Sequence, residues 1–89
     1  MYLYKTFEFA SFEEAIDFMR RAATIISRLN HHPEWTNRYN RVEVWITTHD
    51  QGDVVTNLDR QLAGELDKLY ADTPSAVTKT QTNWELHGL

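Results

Sequence analysis

The chain has 89 residues, enough for one domain over residues 1–89, and its 42% hydrophobic and 25% charged content is typical of a soluble globular protein. It contains no cysteine, which excludes disulfides, thiolate metal sites and cysteine nucleophiles, and no apolar run is long enough for a membrane span. The net charge of −4 argues against non-specific nucleic-acid binding, which needs a basic face, and leaves a small ligand or a protein partner open.

The N-terminal residues predict a strand followed by a long helix. Tyr2–Phe9 alternates well enough between two faces to favour a short strand. Because Met1–Lys5 has neither a basic flank nor an apolar stretch, it does not resemble a signal peptide, and we expect a cytoplasmic protein. Ser11 and Glu14 have the spacing of a capping box, and apolar residues then recur at helical intervals over 12–29. We predict an amphipathic helix there.

The middle of the chain predicts a β-hairpin. Pro33 disfavours helical backbone in the residue before it, which ends the first helix. Two strand-like runs, 34–39 and 41–48, lie on either side of Asn40, and Asp50–Asp53 predicts a loop. In the second run, the alternating apolar residues that we expect to face the core are Val42, Val44 and Ile46.

A second helix and a final strand complete the pattern. Thr56 and Asp59 have helix-capping spacing, which predicts a helix over 57–71 with Asp59 favouring the helix dipole. The polar run 72–82 predicts a linker, and Trp84–His87 predicts a last short strand. The order β-α-β-β-α-β predicts an α+β fold, a two-layer sandwich in which helices cover one face of an antiparallel four-stranded sheet.

Three of the four histidines are expected to meet at one end of this sheet. His31 and His49 lie equally far from Asn40, so a hairpin folded there returns His49 to the neighbourhood of His31 and His32. Such a cluster can be structural, can bind a metal, or can act in acid–base catalysis, for which an unperturbed imidazole pKa of about 6.5 is suited. Adjacent histidines in extended backbone point to opposite sides, which disfavours a shared ion, and there is no HExxH motif.

Four parts of the sequence carry a family resemblance. They are Asn30–Trp35 (NHHPEW), Tyr39–Val42 (YNRV), Thr47–Asp50 (TTHD) and Asp59. Together they resemble the signature of the pterin-4a-carbinolamine dehydratase family: HHP, an aromatic residue six positions later, and a histidine ten positions after that. The resemblance extends over about residues 6–69 and includes both predicted helices.

The resemblance implies an enzyme, a hydro-lyase that converts 4a-hydroxytetrahydropterin to quinonoid dihydropterin in tetrahydropterin recycling. It implies His31 and His49 as the main acid–base pair, and His32 as a residue that orients the substrate and assists. No metal and no cofactor are expected, because the pterin is itself the substrate. The further residues implied to bind the pterin are Asn30, Pro33, Thr47, Thr48 and Asp50.

Self-association is also implied. Family members form dimers and tetramers, and Trp45 on the sheet face away from the helices presents a large apolar side chain to be covered. We therefore expect a homodimer or homotetramer, with no nucleic-acid or membrane partner. The alternative function is a non-catalytic pterin-binding or protein-interaction module, similar to relatives that act as dimerisation cofactors.

Two residues depart from the family's pattern. Ser27 stands where members commonly carry an ionisable residue, and Asn30 stands where many carry Asp. Both changes remove negative charge that would favour protonated imidazoles nearby, so we expect the pH profile of activity to be shifted. Asp59, although part of the signature, is interpreted first as a helix-capping residue.

The two ends of the sequence suggest a circular permutation of the family's order. Members carry a segment with Trp, Glu, Leu and Gly ahead of the Phe-x-Phe strand, and here Trp84–Gly88 has that pattern at the other end. If the ends were joined, Trp84 would lie twelve positions before Phe7, near the family's spacing. We therefore expect this segment to form the edge strand and Trp84 to belong to the pterin site. The alternatives are a chance match in a disordered tail and pairing with a neighbouring chain.

Overall fold

Strands and helices follow one another in the predicted order, in a computed structural model that describes residues 1–73 and 83–88. The elements are β1 (Tyr2–Glu8), α1 (Phe12–Leu29), β2 (Glu34–Arg38), β3 (Arg41–Ile46), α2 (Asn57–Ala71) and β4 (Glu85–His87). Both helices have the predicted bounds, and the α+β fold class is confirmed. The predicted linker falls mostly on residues 74–82, which lie outside the described residues.

The strands form one four-stranded antiparallel sheet in the order β2-β3-β1-β4. A two-residue turn at Tyr39 and Asn40 joins β2 to β3, because Arg38 pairs directly with Arg41. The turn is tied to the rest of the sheet, since the Asn40 side-chain amide donates to the Phe9 carbonyl at 2.8 Å. β4 pairs with β1 of its own chain and forms one edge of the sheet.

Capping residues set where α1 begins and ends. The Ser11 hydroxyl accepts a hydrogen bond from the Glu14 backbone N–H at 3.2 Å, as the capping box predicts. The helix ends at Leu29 because Asn30 adopts a left-handed conformation, with φ of 50°. The backbone N–H of His31 then donates to the Ile26 carbonyl at 3.3 Å, which turns the chain sharply out of the helix.

The core lies between the sheet and the two helices. Three alternating β3 residues, Val42, Val44 and Ile46, are completely buried, as predicted. An aromatic cluster of three phenylalanines and Tyr70 fills the space under the sheet, with ring centroids 5.0–6.3 Å apart: Phe7, Phe9, Phe18 and Tyr70. Burial of each such side chain contributes about 1.5–3 kcal/mol.

A partly buried ion pair connects β1, α2 and the C-terminal segment. Lys5 is only 4% exposed, and its Nζ lies 2.8 Å from Oδ1 of Asp67. The indole N–H of Trp84 donates to the same carboxylate at 3.1 Å, and its ring packs edge-on against Phe7 at 5.8 Å. Trp84 therefore fastens the C-terminal segment to the helix side of the sheet.

The predicted ends of both hairpin strands are wrong: β2 ends at Arg38 instead of residue 39, and β3 ends at Ile46 instead of residue 48. A single 3-10 turn follows at His49–Gln51 and overlaps the loop predicted at Asp50–Asp53. The turn closes at Gly52, whose φ of 83° is a left-handed conformation that glycine adopts without strain. No helix among residues 1–73 and 83–88 has the length and hydrophobicity needed to cross a membrane.

Candidate active site at the end of the hairpin

A cavity of about 310 Å³ opens on the sheet face that the helices leave uncovered. Small-molecule sites typically enclose about 300–1,000 Å³, so this volume suits a compact ligand. Its lining residues are Tyr2, His32, Glu34, Trp45, Thr47 and His49. The cavity therefore combines two imidazoles with two aromatic rings and a carboxylate.

Strand alternation places the floor of this cavity. Because Ile46 points into the core, its neighbours Trp45 and Thr47 point to the opposite face. Pairing of β2 with β3 sets Glu34 directly opposite Trp45. The Thr47 hydroxyl donates to the Met1 carbonyl at 2.7 Å, which ties the start of β1 to the cavity wall.

His49 stands at the rim of the cavity with a carboxylate partner. Its Nδ1–H donates to Oδ1 of Asp53 at 2.6 Å, and the two side chains are 78% and 66% exposed. When Nδ1 carries the proton, Nε2 is the ring nitrogen left to accept one. Asp53 reaches back to His49 because the chain takes left-handed conformations at both Gly52 and Asp53.

His31 belongs to a different, buried network. Its Nε2–H donates to Oδ1 of Asp59 at 2.6 Å, and the two side chains are 11% and 0% exposed. The other carboxylate oxygen accepts from the Thr48 hydroxyl and from the Thr56 backbone N–H, each at 2.6 Å. Asp59 thus caps α2, as predicted, and also holds the His31 ring.

Asp59 stays ionised in this network. Burial acts to raise its pKa, but the hydrogen bonds from Thr48, Thr56 and His31 outweigh burial and hold the pKa of the carboxyl below its usual value. An ionised carboxylate beside Nε2 favours a proton on that nitrogen. The buried network therefore sets the tautomer and the orientation of His31.

The predicted site residues divide between these two places. His32, His49 and Thr47 come together at the cavity. His31 does not line it, because adjacent residues in extended backbone point to opposite sides of the chain. The imidazoles of His32 and His49 thus line this cavity and that of His31 does not, and the catalytic roles implied for the three histidines stay predictions.

Other residues predicted to bind the substrate lie away from this cavity. Thr48 is buried against Asp59, whereas Asn30 and Asp50 are exposed. Pro33 lines a smaller neighbouring cavity of about 150 Å³. Trp84 lies on the helix side of the sheet, so it is not in contact with this cavity; the binding roles of these residues stay predictions.

Four residues of the site were not predicted from the sequence. Tyr2, Glu34 and Trp45 line the cavity, and Asp53 holds His49. The available signal was strand alternation, which already put Trp45 on the face away from the helices. The contact between His49 and Asp53 depends on left-handed backbone at Gly52 and Asp53. Both residue types favour such a conformation, but they do not indicate which side chain the turn brings to His49.

The histidines and carboxylates do not gather as metal ligands do. Across residues 1–73 and 83–88, no group of three or more His, Asp or Glu side chains has an arrangement that could hold a metal ion. Each pairs with a different partner: His31 with Asp59, and His49 with Asp53.

Comparison with known proteins gives a consistent result. The profile of the family described as pterin 4 alpha carbinolamine dehydratase matches residues 1–69. A Rhizobium johnstonii protein that carries the provisional name pterin-4-alpha-carbinolamine dehydratase is 52% identical over 67 residues, or 75% of this chain and 65% of that protein.

Solved structures show the same fold. A transcriptional coactivator/pterin dehydratase from Brucella melitensis is 40% identical with a TM-score of 0.73, over 76% of this chain and 71% of that one. A pterin dehydratase-like protein described as a RuBisCO assembly factor in the alpha-carboxysome is 21% identical with a TM-score of 0.65, over 84% and 82% of the chains, and shares the fold.

The fold is that of pterin dehydratase-like proteins. The chain belongs to the pterin-4a-carbinolamine dehydratase family, which confirms the resemblance seen in the sequence. It spans 65% of the length of the Rhizobium relative. The match to the family profile ends before the C-terminal strand β4.

Proposed function

We propose that this protein dehydrates 4a-hydroxytetrahydropterin to quinonoid dihydropterin. The observation that carries the proposal is that His32 and His49 line one ligand-sized cavity whose walls include the rings of Tyr2 and Trp45. Flat aromatic surfaces suit a planar heterocycle, and two imidazoles can supply an acid and a base at neutral pH. Membership of the family and the names of the relatives support the same reaction.

The reaction needs two proton transfers and no redox change. A general acid protonates the 4a-hydroxyl, the C4a–O bond breaks, and water leaves. A general base removes the N5 proton, and the N–H electron pair forms the new N5=C4a double bond. One proton is donated and one is accepted, so neither a redox cofactor nor a covalent intermediate is required. Each well-positioned acid or base contributes about 10²–10⁴ in rate.

The geometry favours His32 and His49 as the pair that contacts the substrate. The hydrogen bond to Asp53 leaves Nε2 of His49 free to accept or return a proton. His32 faces the same cavity from the turn between α1 and β2. The family resemblance implied His31 and His49 instead; in our proposal His31 acts as a positioning residue.

The positioning role follows from the buried network. Asp59 holds the His31 ring on the helix side of the chain, and His32 is the next residue along extended backbone. Fixing His31 inward therefore directs His32 outward, to the cavity. Among the residues implied to bind the pterin, Thr47 is the one that lines the cavity, and we propose that it contacts the substrate.

Absorbance-monitored dehydration of synthetic 4a-hydroxytetrahydropterin tests the proposal. We expect turnover that EDTA does not change, and a loss of about 100-fold or more in kcat for both H32A and H49A. H31A should lower the stability and reduce kcat less. The matched control is R20A, because Arg20 is exposed on α1 and lines neither cavity.

Each outcome distinguishes a hypothesis. Absence of turnover by folded wild-type protein would overturn the enzyme proposal, and titration with a dihydropterin would then test the pterin-binding alternative. Loss of turnover on addition of EDTA would favour the metal alternative. A larger effect of H31A than of H32A on kcat, at equal stability, would return the main role to His31.

We also propose that a second copy of the chain covers the outer face of α1. Phe12 and Ile16 lie one helical turn apart and are 43% and 41% exposed. The Brucella relative is described as a coactivator as well as a dehydratase, and a protein-interaction role here would use the same face. The double variant F12S/I16S should dissociate the oligomer in light scattering, whereas an unchanged mass would exclude this face.

The circular permutation remains a proposal about chain order, supported by the geometry of β4. Tyr2 pairs with His87, and a Cβ built on Gly88 would lie 3.1 Å from N and Cα of Met1. A short loop could therefore connect β4 directly to β1. A rearranged chain with residues 83–89 ahead of Met1, ending at residue 73, should retain turnover and melting temperature; an unfolded product would refute the proposal.

A further inference from the structure

The C-terminal strand places an imidazole against the wall of the cavity. His87 lies directly opposite Tyr2 in the pairing of β4 with β1. The two rings are stacked, with centroids 5.1 Å apart and planes 7° from parallel. Ring pairs at this separation attract each other, beyond the area that they bury.

Tyr2 is part of the cavity, whereas His87 is not among its lining residues. The His87 ring covers one face of the Tyr2 ring, so only the other face and the edges of Tyr2 are available to a ligand. A tyrosine without such a neighbour would sample several rotamers. A ligand that binds one of these rotamers would then lose affinity, because binding would have to fix the side chain. The stack therefore prepares the wall before the ligand arrives.

His87 is itself held in place from two directions. Its Nε2–H donates to Oε1 of Glu85 at 2.8 Å. Its ring also meets the ring of Tyr4 edge-on, with centroids 6.1 Å apart and planes at 87°. Both contacts come from residues on the uncovered face of the sheet, so the imidazole is braced between β4 and β1.

Tyr4 is fixed in its turn. Its hydroxyl donates to Oε2 of Glu43 at 2.6 Å, and this hydrogen bond raises the pKa of Tyr4 because ionisation would put two negative charges side by side. The Tyr4 ring also packs against Trp45 at 5.2 Å. A continuous row of rings thus runs from Trp45 through Tyr4 and His87 to Tyr2, and both of its ends line the cavity.

We propose that His87 is a positioning residue of the pterin site, which holds the Tyr2 ring as an aromatic wall for the flat pyrimidine half of the substrate. The inference rests on the proposed dehydratase function and extends it. It gives β4 a functional role through a residue other than the predicted Trp84. The contact with the substrate is made by Tyr2, so His87 should affect binding and leave the proton transfers unchanged.

The test compares kcat, KM and the Kd for a dihydropterin, measured by quenching of protein fluorescence, in four proteins. They are the wild type, H87A, H87F and the control L86A, in which the replaced side chain lies on the other face of β4. We expect H87A to raise KM and Kd by about two- to ten-fold with kcat within about two-fold. H87F should restore both values, because it keeps a ring against Tyr2. L86A should match the wild type.

The outcomes separate this inference from the dehydratase proposal. Wild-type turnover together with an unchanged KM and Kd in H87A would overturn the inference alone. A fall in kcat at unchanged KM in H87A would also overturn the inference. So would a loss of binding affinity in H87A that H87F, at equal melting temperature, does not restore. The wild type could bind the dihydropterin without turnover, and H87A could bind it more weakly. That result would support the role of His87 in holding Tyr2 and would overturn the dehydratase proposal. Neither turnover nor binding by the wild type would overturn both.

Discussion

Replacement of Asp59 by Asn tests the buried network behind the cavity. The carboxylate is fully buried and accepts hydrogen bonds from the Thr48 hydroxyl, the Thr56 backbone N–H and Nε2–H of His31. Asn has nearly the same shape but carries no charge and has one acceptor oxygen in place of two. In D59N the NH₂ group must therefore face either His31 or the two threonines. Each of these groups donates a hydrogen bond to Asp59, so a donor would then face a donor.

The expected loss of stability follows from these contacts. A hydrogen bond to a charged group contributes about 1.5–3 kcal/mol, against about 0.5–1.5 kcal/mol for a neutral pair. These three bonds are each 2.6 Å long, a fourth from the Thr56 hydroxyl is 3.2 Å long, and all of them lose the assistance of the charge. We therefore expect D59N to lower the free energy of unfolding by about 2–3 kcal/mol at neutral pH. This is a substantial part of the total free energy of unfolding of a typical domain, which is about 5–15 kcal/mol.

The sign of the pKa shift gives the pH dependence. The pKa of Asp59 is lowered in the folded state, since the hydrogen bonds prevail over burial. Its contribution to stability is therefore fully present above the unfolded pKa of about 3.9 and is lost as the pH falls through the folded value. The difference between wild type and D59N should be large near neutral pH and should shrink below about pH 4.

Urea unfolding followed by tryptophan fluorescence measures these differences. The matched control is D17N, because the ion pairs of Asp17 with Arg20 and Arg21 are exposed on α1 and its replacement should leave the midpoint unchanged. A loss smaller than about 0.5 kcal/mol in D59N, the range of ordinary surface substitutions, would refute the reasoning. An equal loss at about pH 3 and pH 7 would refute the charge-based explanation.

Four further predictions concern the rim of the cavity and the two ends of the chain. D53N should lower kcat by at most about five-fold at unchanged KM, because an exposed pair contributes about 1 kcal/mol or less; a loss of 100-fold would show a stronger role. W84A should reduce the free energy of unfolding by about 2 kcal/mol in urea and W84F by about half of that, since Phe retains the ring contacts. Equal losses would assign the effect to the indole N–H. G88A should raise KM as H87A does, because Gly88 has φ of 82° and its methyl group would press on Met1; an unchanged KM would contradict the close approach. G64A should raise the melting temperature, with a gain of about 0.5–1 kcal/mol, since Gly64 is an exposed helical residue with open space at its Cβ.

Local signals predicted the secondary structure of this chain closely. The capping residues Ser11 and Thr56 and the spacing of apolar residues predicted both helices with the observed bounds. Alternation in β3 predicted which of its residues are buried. The predicted strand boundaries were less accurate. β3 ends at Ile46, and Thr48 pairs instead with Val54 across the turn at His49–Gln51, a contact that alternation within the strand does not indicate.

The candidate site was predicted in part. The equal spacing of His31 and His49 about Asn40 correctly indicated that β3 returns towards the end of α1. It could not show which of two adjacent imidazoles faces outward. That choice depends on the left-handed backbone at Asn30 and on the buried Asp59, which lies 28 residues from His31.

The helices, the hairpin, the buried face of β3 and the family could be predicted from the sequence, because they follow from motifs and from interactions between residues close together in the chain. The contacts that needed the folded structure are the shared cavity of His32 and His49, the hydrogen bond from His49 to Asp53, and the stacking of His87 on Tyr2. These contacts depend on side-chain directions and on the register between distant strands. Such quantities are set by packing of the whole domain and leave no periodic trace in the sequence.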